Sequence, residues 1–337
     1  MRLIYQVVFL KGNIYCTYHR MRQFFTTTWL VLKKTFVNFY QDDSISYASS
    51  IAFYTIFSLP AILIIALSIG TTFYERNVVQ EELINQAERL IGMNIEKEIT
   101  DIISNATLDA TSTFAKTIGV LTLIFSATTV FASLQTSLNK IWGIKPKPGR
   151  DIVKFIVNRL LSLAMVAVVG FLLLVSLVVD ALLAILQGFL SRIMEGFTLY
   201  ILQGMNILIS VGFITIIFAL LFKVLPDANV KWRDVWGGAF VTTILFSIGK
   251  FLIGFYLGNS PFSSAYGAAG SLVIILVWIY YSTIIVLFGA ELTSVYTEVI
   301  GERIKPNDTA VKVQQVELEK NENNETTSVH STPLRHS

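Results

Sequence analysis

Long uncharged runs dominate the pattern of apolar and polar positions along this chain. From Leu272 to Ala290 no residue carries a charge. At about 1.5 Å per residue a helix over that run crosses a hydrocarbon core of roughly 30 Å. Helical spacing puts Tyr280, Thr283, Leu287, Glu291 and Ser294 on one face, so the run reads as a membrane helix with a polar seam. Five further apolar runs, at about 48–73, 117–138, 156–186, 200–222 and 236–258, predict an all-α polytopic bundle of six transmembrane helices. Pro60 interrupts the first run, where the missing amide hydrogen predicts a kink. Asp42, Asp43 and Ser44 stand before it as N-cap types, a reading preferred over cation binding.

Two stretches have helical periodicity without the length to span. Over 22–41, Phe25, Trp29, Leu32, Phe36 and Phe39 form an aromatic stripe, with Arg22, Lys33 and Lys34 on the polar side. That composition predicts an N-terminal helix lying at the membrane–water interface. Residues 75–115 form an acidic insert, in which Leu83, Ile84, Ala87, Leu90 and Ile91 predict one amphipathic helix. After Gly92, Ile95, Ile99, Ile102 and Ile103 predict a second. The organisation expected is a cytoplasmic segment over 1–47, a membrane domain over 48–300 with the insert outside, and a disordered tail over 301–337, where Lys, Glu, Asn, Thr and Ser take over.

Composition sharpens this reading. A chain of 337 residues with 53% hydrophobic and 15% charged residues is too apolar for a soluble domain. Charge placement sets the sidedness. Lys140, Lys145, Lys147, Arg150 and Lys154 fall in one loop and Lys223, Lys231 and Arg233 in another, whereas 187–199 and 259–270 are nearly free of basic residues. The positive-inside rule then puts both termini in the cytoplasm and the acidic insert outside. Trp142, Trp232 and Trp236 fall at cytoplasmic span ends, where tryptophan anchors at the interface. A single cysteine, Cys16, leaves no intramolecular disulfide, and no small-residue cleavage site follows the first apolar stretch, so a removable signal peptide is not expected.

Small and polar residues recur at three and four in several spans. The second run holds Gly119, Thr122, Ser126, Thr129, Ser133 and Thr136; the third Ser162, Ser176, Asp180 and Gln187; the fourth Gln203, Asn206 and Ser210. The fifth holds Thr243, Ser247, Lys250, Gly254 and Gly258. Such seams either pack helices closely, as Gly254-x-x-x-Gly258 would, or line a wet cavity. Buried charges separate the two readings better, because a lone ion at mid-bilayer costs roughly 2.5–3.5 kcal/mol. Asp180 and Lys250 sit in the outer half of parallel spans and are expected to pair. Glu291 lies near the cytoplasmic end, within reach of Arg159 or Lys154. The cavity candidates are therefore Asp180, Lys250, Glu291, Tyr280, Ser126, Thr129, Ser247 and Asn206. The bland reading is that these residues only fix helix register.

Two blocks carry a resemblance. SPFSSAYGAAGSLVIILVWIYYSTIIVLFGAELTSVYTE, from Ser260, is similar to the last span of the YihY/virulence factor BrkB family, and DDSISYASSIAFYTIFSLPAI, from Asp42, resembles the entry of its first span. The likeness covers about 25–305. It implies a bacterial polytopic membrane protein of a family once mislabelled ribonuclease BN, with links to envelope function and export.

The nuclease label fails on the residues. His19, His330 and His336 all lie in the tails, there is no H-x-H or C-x-x-C pair, and no G-x-x-x-x-G-K-[ST] loop is present. No catalytic residue, metal site, cofactor or nucleic-acid partner is expected, since topology and anionic lipid account for the basic loops. Two functions remain open. The bundle is a permease or flippase for a lipid headgroup or zwitterionic solute, or it is a structural or assembly factor of the envelope whose seams are helix contacts. The sequence leaves the oligomeric state open.

Overall fold

The computed structural model describes residues 26–92, 94–105, 128–147, 160, 164, 168, 197–258, 270–301, 304–307, 310–313, 316–320 and 326–331. These are mostly helical. Helix α1 covers 26–41, α2 Ser44–Gly70, α3 Arg76–Ile91, α4 Glu96–Asn105 and α5 128–141. Three long helices follow: α6 over Phe197–Val224, α7 over Trp232–Gly258 and α8 over Gly270–Val299. The segments Ile207–Val224, Trp232–Leu257 and Leu272–Val299 are long and apolar enough to cross a membrane, and α2 makes a fourth if its halves, bent by 40° about Pro60, count as one span. Most of the runs expected at 117–138 and 156–186 lies outside the described residues.

The bundle is organised on α8, which α7 and α2 flank. Where α7 and α8 run antiparallel, Gly238 faces Thr293 and Gly289 faces Thr242, so closely that a Cβ at either glycine would overlap the threonine opposite. Each threonine hydroxyl donates to its own helix: Thr242 to the Gly238 carbonyl and Thr293 to the Gly289 carbonyl, both at 2.7 Å. Neither hydroxyl needs a partner across the contact, and the two backbones can close on each other. Gly249 makes a third close approach, to Tyr281 and Ile285. On the other side of α7, the hydroxyls of Thr215 and Thr243 lie 3.0 Å apart, and Phe218 meets Phe246 edge-on at 5.6 Å.

Helices α3 and α4 cap one end of this bundle. Ile91, Ile95, Ile99 and Ile103 are buried against Leu63 and Leu67 of α2. Gly92 separates the two helices with φ of 82°, a left-handed turn that ends α3. At this end stand Glu75, Glu81, Glu82, Glu88, Glu96, Glu98 and Asp101; at the other stand Lys140, Lys145, Lys147, Lys223, Lys231, Arg233 and Lys305.

The basic end differs from expectation in three ways. Composition predicts a disordered tail and an all-helical fold, but short strands form in the connections and after α8. Strand β1 (Ile144–Pro146) pairs antiparallel with β4 (Ala310–Lys312), β2 (Ala228–Asn229) with β3 (Lys305–Pro306), and β5 (Val316–Lys320) with β6 (Thr326–Ser331). The first four are short because they only stitch helix ends together. Trp142, expected as an interfacial anchor, is instead 1% exposed in the core with Leu138, Ile144 and Leu225, whereas Trp232 and Trp236 are exposed. Finally, the aromatic stripe of α1 divides. Phe39 is buried with Val31 and Thr35 against α8, while Trp29, Leu32 and Phe36 are exposed; Phe25 lies outside the described residues.

The α7–α8 contact sets up an internal control. Gly238→Val should destabilise the protein by about 1–3 kcal/mol, the usual cost of overpacking. Gly237→Val, at a position with nothing within 4 Å of an added Cβ, should stay within about 0.5 kcal/mol of native. Thermal unfolding in detergent measures both, and equal effects would mean that the close approach does not hold.

Candidate functional site

The charges and seams singled out in the sequence do not form one site. Lys250 reaches the acidic cap. Its ammonium donates to the Arg89 carbonyl at 2.6 Å, and the Trp278 indole donates to the Ile91 carbonyl at 3.2 Å. Both carbonyls belong to the last turn of α3, where helix carbonyls lack intrahelical partners and the macrodipole is negative. A cation from α7 and an indole from α8 thus terminate a helix of the cap. Gly92 places its own carbonyl against Gly254, at a distance of 3.0 Å from where a Cβ would sit. At Gly254 the Gly254-x-x-x-Gly258 spacing therefore admits the cap. Glu88 completes the junction by accepting the Ile95 amide at 3.1 Å. A cavity of about 480 Å³ lined by Asn85, Glu88, Arg89 and Gly92 opens on this cap, where Arg89 and Gly92 meet Lys250 and Gly254 of α7.

Asp180 and Ser126 lie outside the described residues, and so do Arg159 and Lys154. The expected Asp180–Lys250 pair thus stands without a described partner for Lys250 other than the cap. Asn206 lies in α6. Ser247 donates to the Thr243 carbonyl at 2.8 Å and Thr283 to the Ile279 carbonyl at 2.8 Å, so both hydroxyls are used within their own helices. Tyr280 is half-buried beside Ile275, Ile279 and Ala52. Of the second-run seam, Gly119, Thr122 and Ser126 lie outside the described residues. Thr129 is half-buried and Thr136 exposed, whereas Thr128, Gln135, Ser137 and Asn139 are buried. Small polar residues occupy both faces of α5, so spacing alone does not separate the packed face from the other.

Glu291 is a charge enclosed by the bundle. It is 0% exposed, on the face of α8 that carries Leu287 and Val295 and roughly opposite the Gly289 and Thr293 positions that meet α7. Ser294, on the same seam, is 3.4 Å from the Ile141 carbonyl of α5. Glu291 and Lys250 are far apart: Gly289 faces Thr242, eight residues before Lys250, which is about 12 Å along the helix axis. Sequence spacing also missed the Asn139–Asp227 contact. Asn139 Nδ2 donates to Asp227 Oδ2 at 3.0 Å and the Asp227 amide donates to Asn139 Oδ1 at 2.8 Å. These residues stand 88 positions apart, and no periodicity connects them.

If Lys250 holds the cap, Lys250→Met should free the α3 carbonyl while leaving the apolar contacts intact. A hydrogen bond from a charged donor contributes about 1.5–3 kcal/mol. Hydrogen exchange should therefore speed up over 86–92 and leave α8 unchanged; uniform exchange across both would refute the local role.

The comparisons with known proteins agree with a membrane assignment. The family model described as Virulence factor BrkB matches residues 35–314. The chain is 28% identical over 269 residues to a UPF0761 membrane protein of Alteromonas mediterranea, covering 77% of this chain and 85% of the relative. Another UPF0761 membrane protein, from Pseudoalteromonas atlantica, is 27% identical over 288 residues, 83% of this chain and 91% of that one. The relative from Methylibium petroleiphilum is 28% identical over 279 residues, but only 63% of its own length is spanned. No solved structure matches. A match across 35–314, joined to apolar helices long enough to cross a bilayer, places this chain in the Virulence factor BrkB family of membrane proteins.

Proposed function

We propose that the protein is a non-enzymatic multi-pass carrier of the bacterial cytoplasmic membrane, moving a lipid headgroup or a zwitterionic solute. The observation that carries this reading is the complete burial of Glu291 within a helix of membrane-crossing length. A carboxylate there is costly, and intramembrane ionisable residues mark pathways for ions and polar cargo more often than they mark packing. In this reading the bundle has six spans, both termini face the cytoplasm, the acidic cap lies outside and α1 rests in the interface with Trp29 and Phe36 among the lipids. The basic end faces anionic headgroups, and nucleic acid is not a partner.

A second reading is favoured by the seams themselves. The threonines of α7 and α8 are satisfied within their own helices and fill glycine gaps, as they would in a scaffold or envelope assembly factor with no path. Proteoliposomes distinguish the two. Native protein should scramble headgroup-labelled phospholipids or release a zwitterionic osmolyte, and Glu291→Gln should abolish that at unchanged thermal stability. Inactivity of native protein toward both cargo classes, or full activity of Glu291→Gln, counts against the carrier. Sidedness has its own test: in intact cells a cysteine at Glu82 should react with an impermeant maleimide and one at Lys147 should not.

A further inference from the structure

The basic end of the bundle is closed by a strap. Helix α5 leaves through Trp142 and Gly143 into β1, α6 joins α7 through β2, and α8 runs out into β3 and β4. Strand β4 pairs with β1 in the register Ile144↔Lys312, Lys145↔Val311 and Pro146↔Ala310, and β3 pairs with β2 as Ala228↔Pro306 and Asn229↔Lys305. Three further backbone bonds extend this stitching: Val313 N–H to the Gly143 carbonyl at 2.8 Å, Asn307 N–H to Asp227 at 3.0 Å and Ala310 N–H to Asn307 at 2.9 Å. Beneath the strands, Trp142, Leu225, Ala228, Val230 and Ala310 are buried together.

The connectivity has a mechanical consequence. The ends of α5, α6, α7 and α8 cannot separate while both ladders hold, because each ladder ties the segment after α8 to a different connection. Beneath this end, Ser294 is 1% exposed against the Ile141 carbonyl, and Glu291 lies eight residues before the end of α8, about 12 Å along its axis. The ladders themselves are slight. They are two and three residues long, each in a two-stranded sheet, with Lys305, Val311 and Lys312 exposed. Two-stranded ribbons are marginal on their own, and segments with few buried contacts open locally without global unfolding. The family match ends at residue 314, just past β4.

We propose that β3 and β4 form a releasable strap: paired, they hold the basic end shut over the Ser294–Glu291 seam, and unpaired they admit water to it from that side. This goes beyond the carrier reading, since a strap of this kind operates whatever the cargo is.

The test is a labelling rate and needs no cargo. In a Cys16→Ser background reconstituted into nanodiscs, with both faces accessible, Ser294→Cys is the reporter, and N-ethylmaleimide incorporation at position 294 is read by peptide mass spectrometry. Val311→Pro removes an amide from β4 and should raise the rate roughly tenfold or more, the mark of a local opening that has become easier. Lys145→Cys with Val311→Cys, oxidised to a disulfide, retains the native fold and locks the strap, so reporter labelling should fall below the native-strap rate and recover on reduction. Equal rates in the oxidised and reduced forms overturn the proposal even if Val311→Pro fails to fold. A native-like rate in a well-folded Val311→Pro overturns it as well. A carrier that moves no tested cargo would leave these rates unaffected, so the strap and the carrier reading fail separately.

Discussion

The structure depends on one close contact, the antiparallel approach of α7 and α8. It is made by two sequence units of the same form, Gly238-Ala-Phe-Val-Thr242 and Gly289-Ala-Glu-Leu-Thr293. In each unit the threonine hydroxyl bonds back to the carbonyl of the glycine four residues earlier, and its side chain fills the gap left by the glycine of the other helix. Lipid tails are as apolar as leucine, so burying more leucine gives membrane helices little reason to associate. Close packing through small residues does. Once α7 and α8 are fixed, α6 packs on α7 through Thr243 and Phe246, while α2 and α1 pack on α8 through Ile279 and Phe288.

The two marked charges are placed differently. Two residues from both Gly289 and Thr293, Glu291 falls on the opposite side of α8 from the α7 contact, on the face of Leu287 and Val295, where it is 0% exposed. Lys250 lies where the two helices meet the cap and serves a different purpose: its ammonium compensates the negative end of α3. Two charges that look equivalent by hydropathy therefore have unlike surroundings. One is enclosed by the bundle, and the other joins the bundle to its cap.

The two ends of the molecule are built by different means. The acidic end is a hydrophobic junction, with the isoleucines of α3 and α4 set on α2 and the helix terminus closed by Lys250 and Trp278. The basic end is held by backbone pairing between connections and tail above a buried tryptophan. An apolar junction resists opening through the area it buries, whereas a short ladder opens once a few hydrogen bonds break.

Sequence alone determined the long apolar helices, the bend at Pro60, the two amphipathic helices split at Gly92 and the separation of acidic from basic ends. Each is a local property: run length, helical period, a missing amide hydrogen or a loop charge. It also marked Asp180, Lys250 and Glu291 as charges within apolar runs, of which Asp180 lies outside the described residues. Tertiary structure decided the rest. Period 3.6 locates a polar face but not the helix that covers it, so Thr129 and Thr136 were singled out where Gln135 and Asn139 are buried. Trp142 has the composition of an anchor and the position of a core residue, one helical turn after the buried Leu138 on the packed face of α5. Polar composition after Gly301 predicts disorder, yet 305–306 and 310–312 gain order from strands presented by connections 76 to 168 residues earlier, by the pairings of Asn229 with Lys305 and Ile144 with Lys312. Long-range pairing of this kind leaves no periodic trace in either partner, because its stabilisation exists only once the helices have brought the connections together.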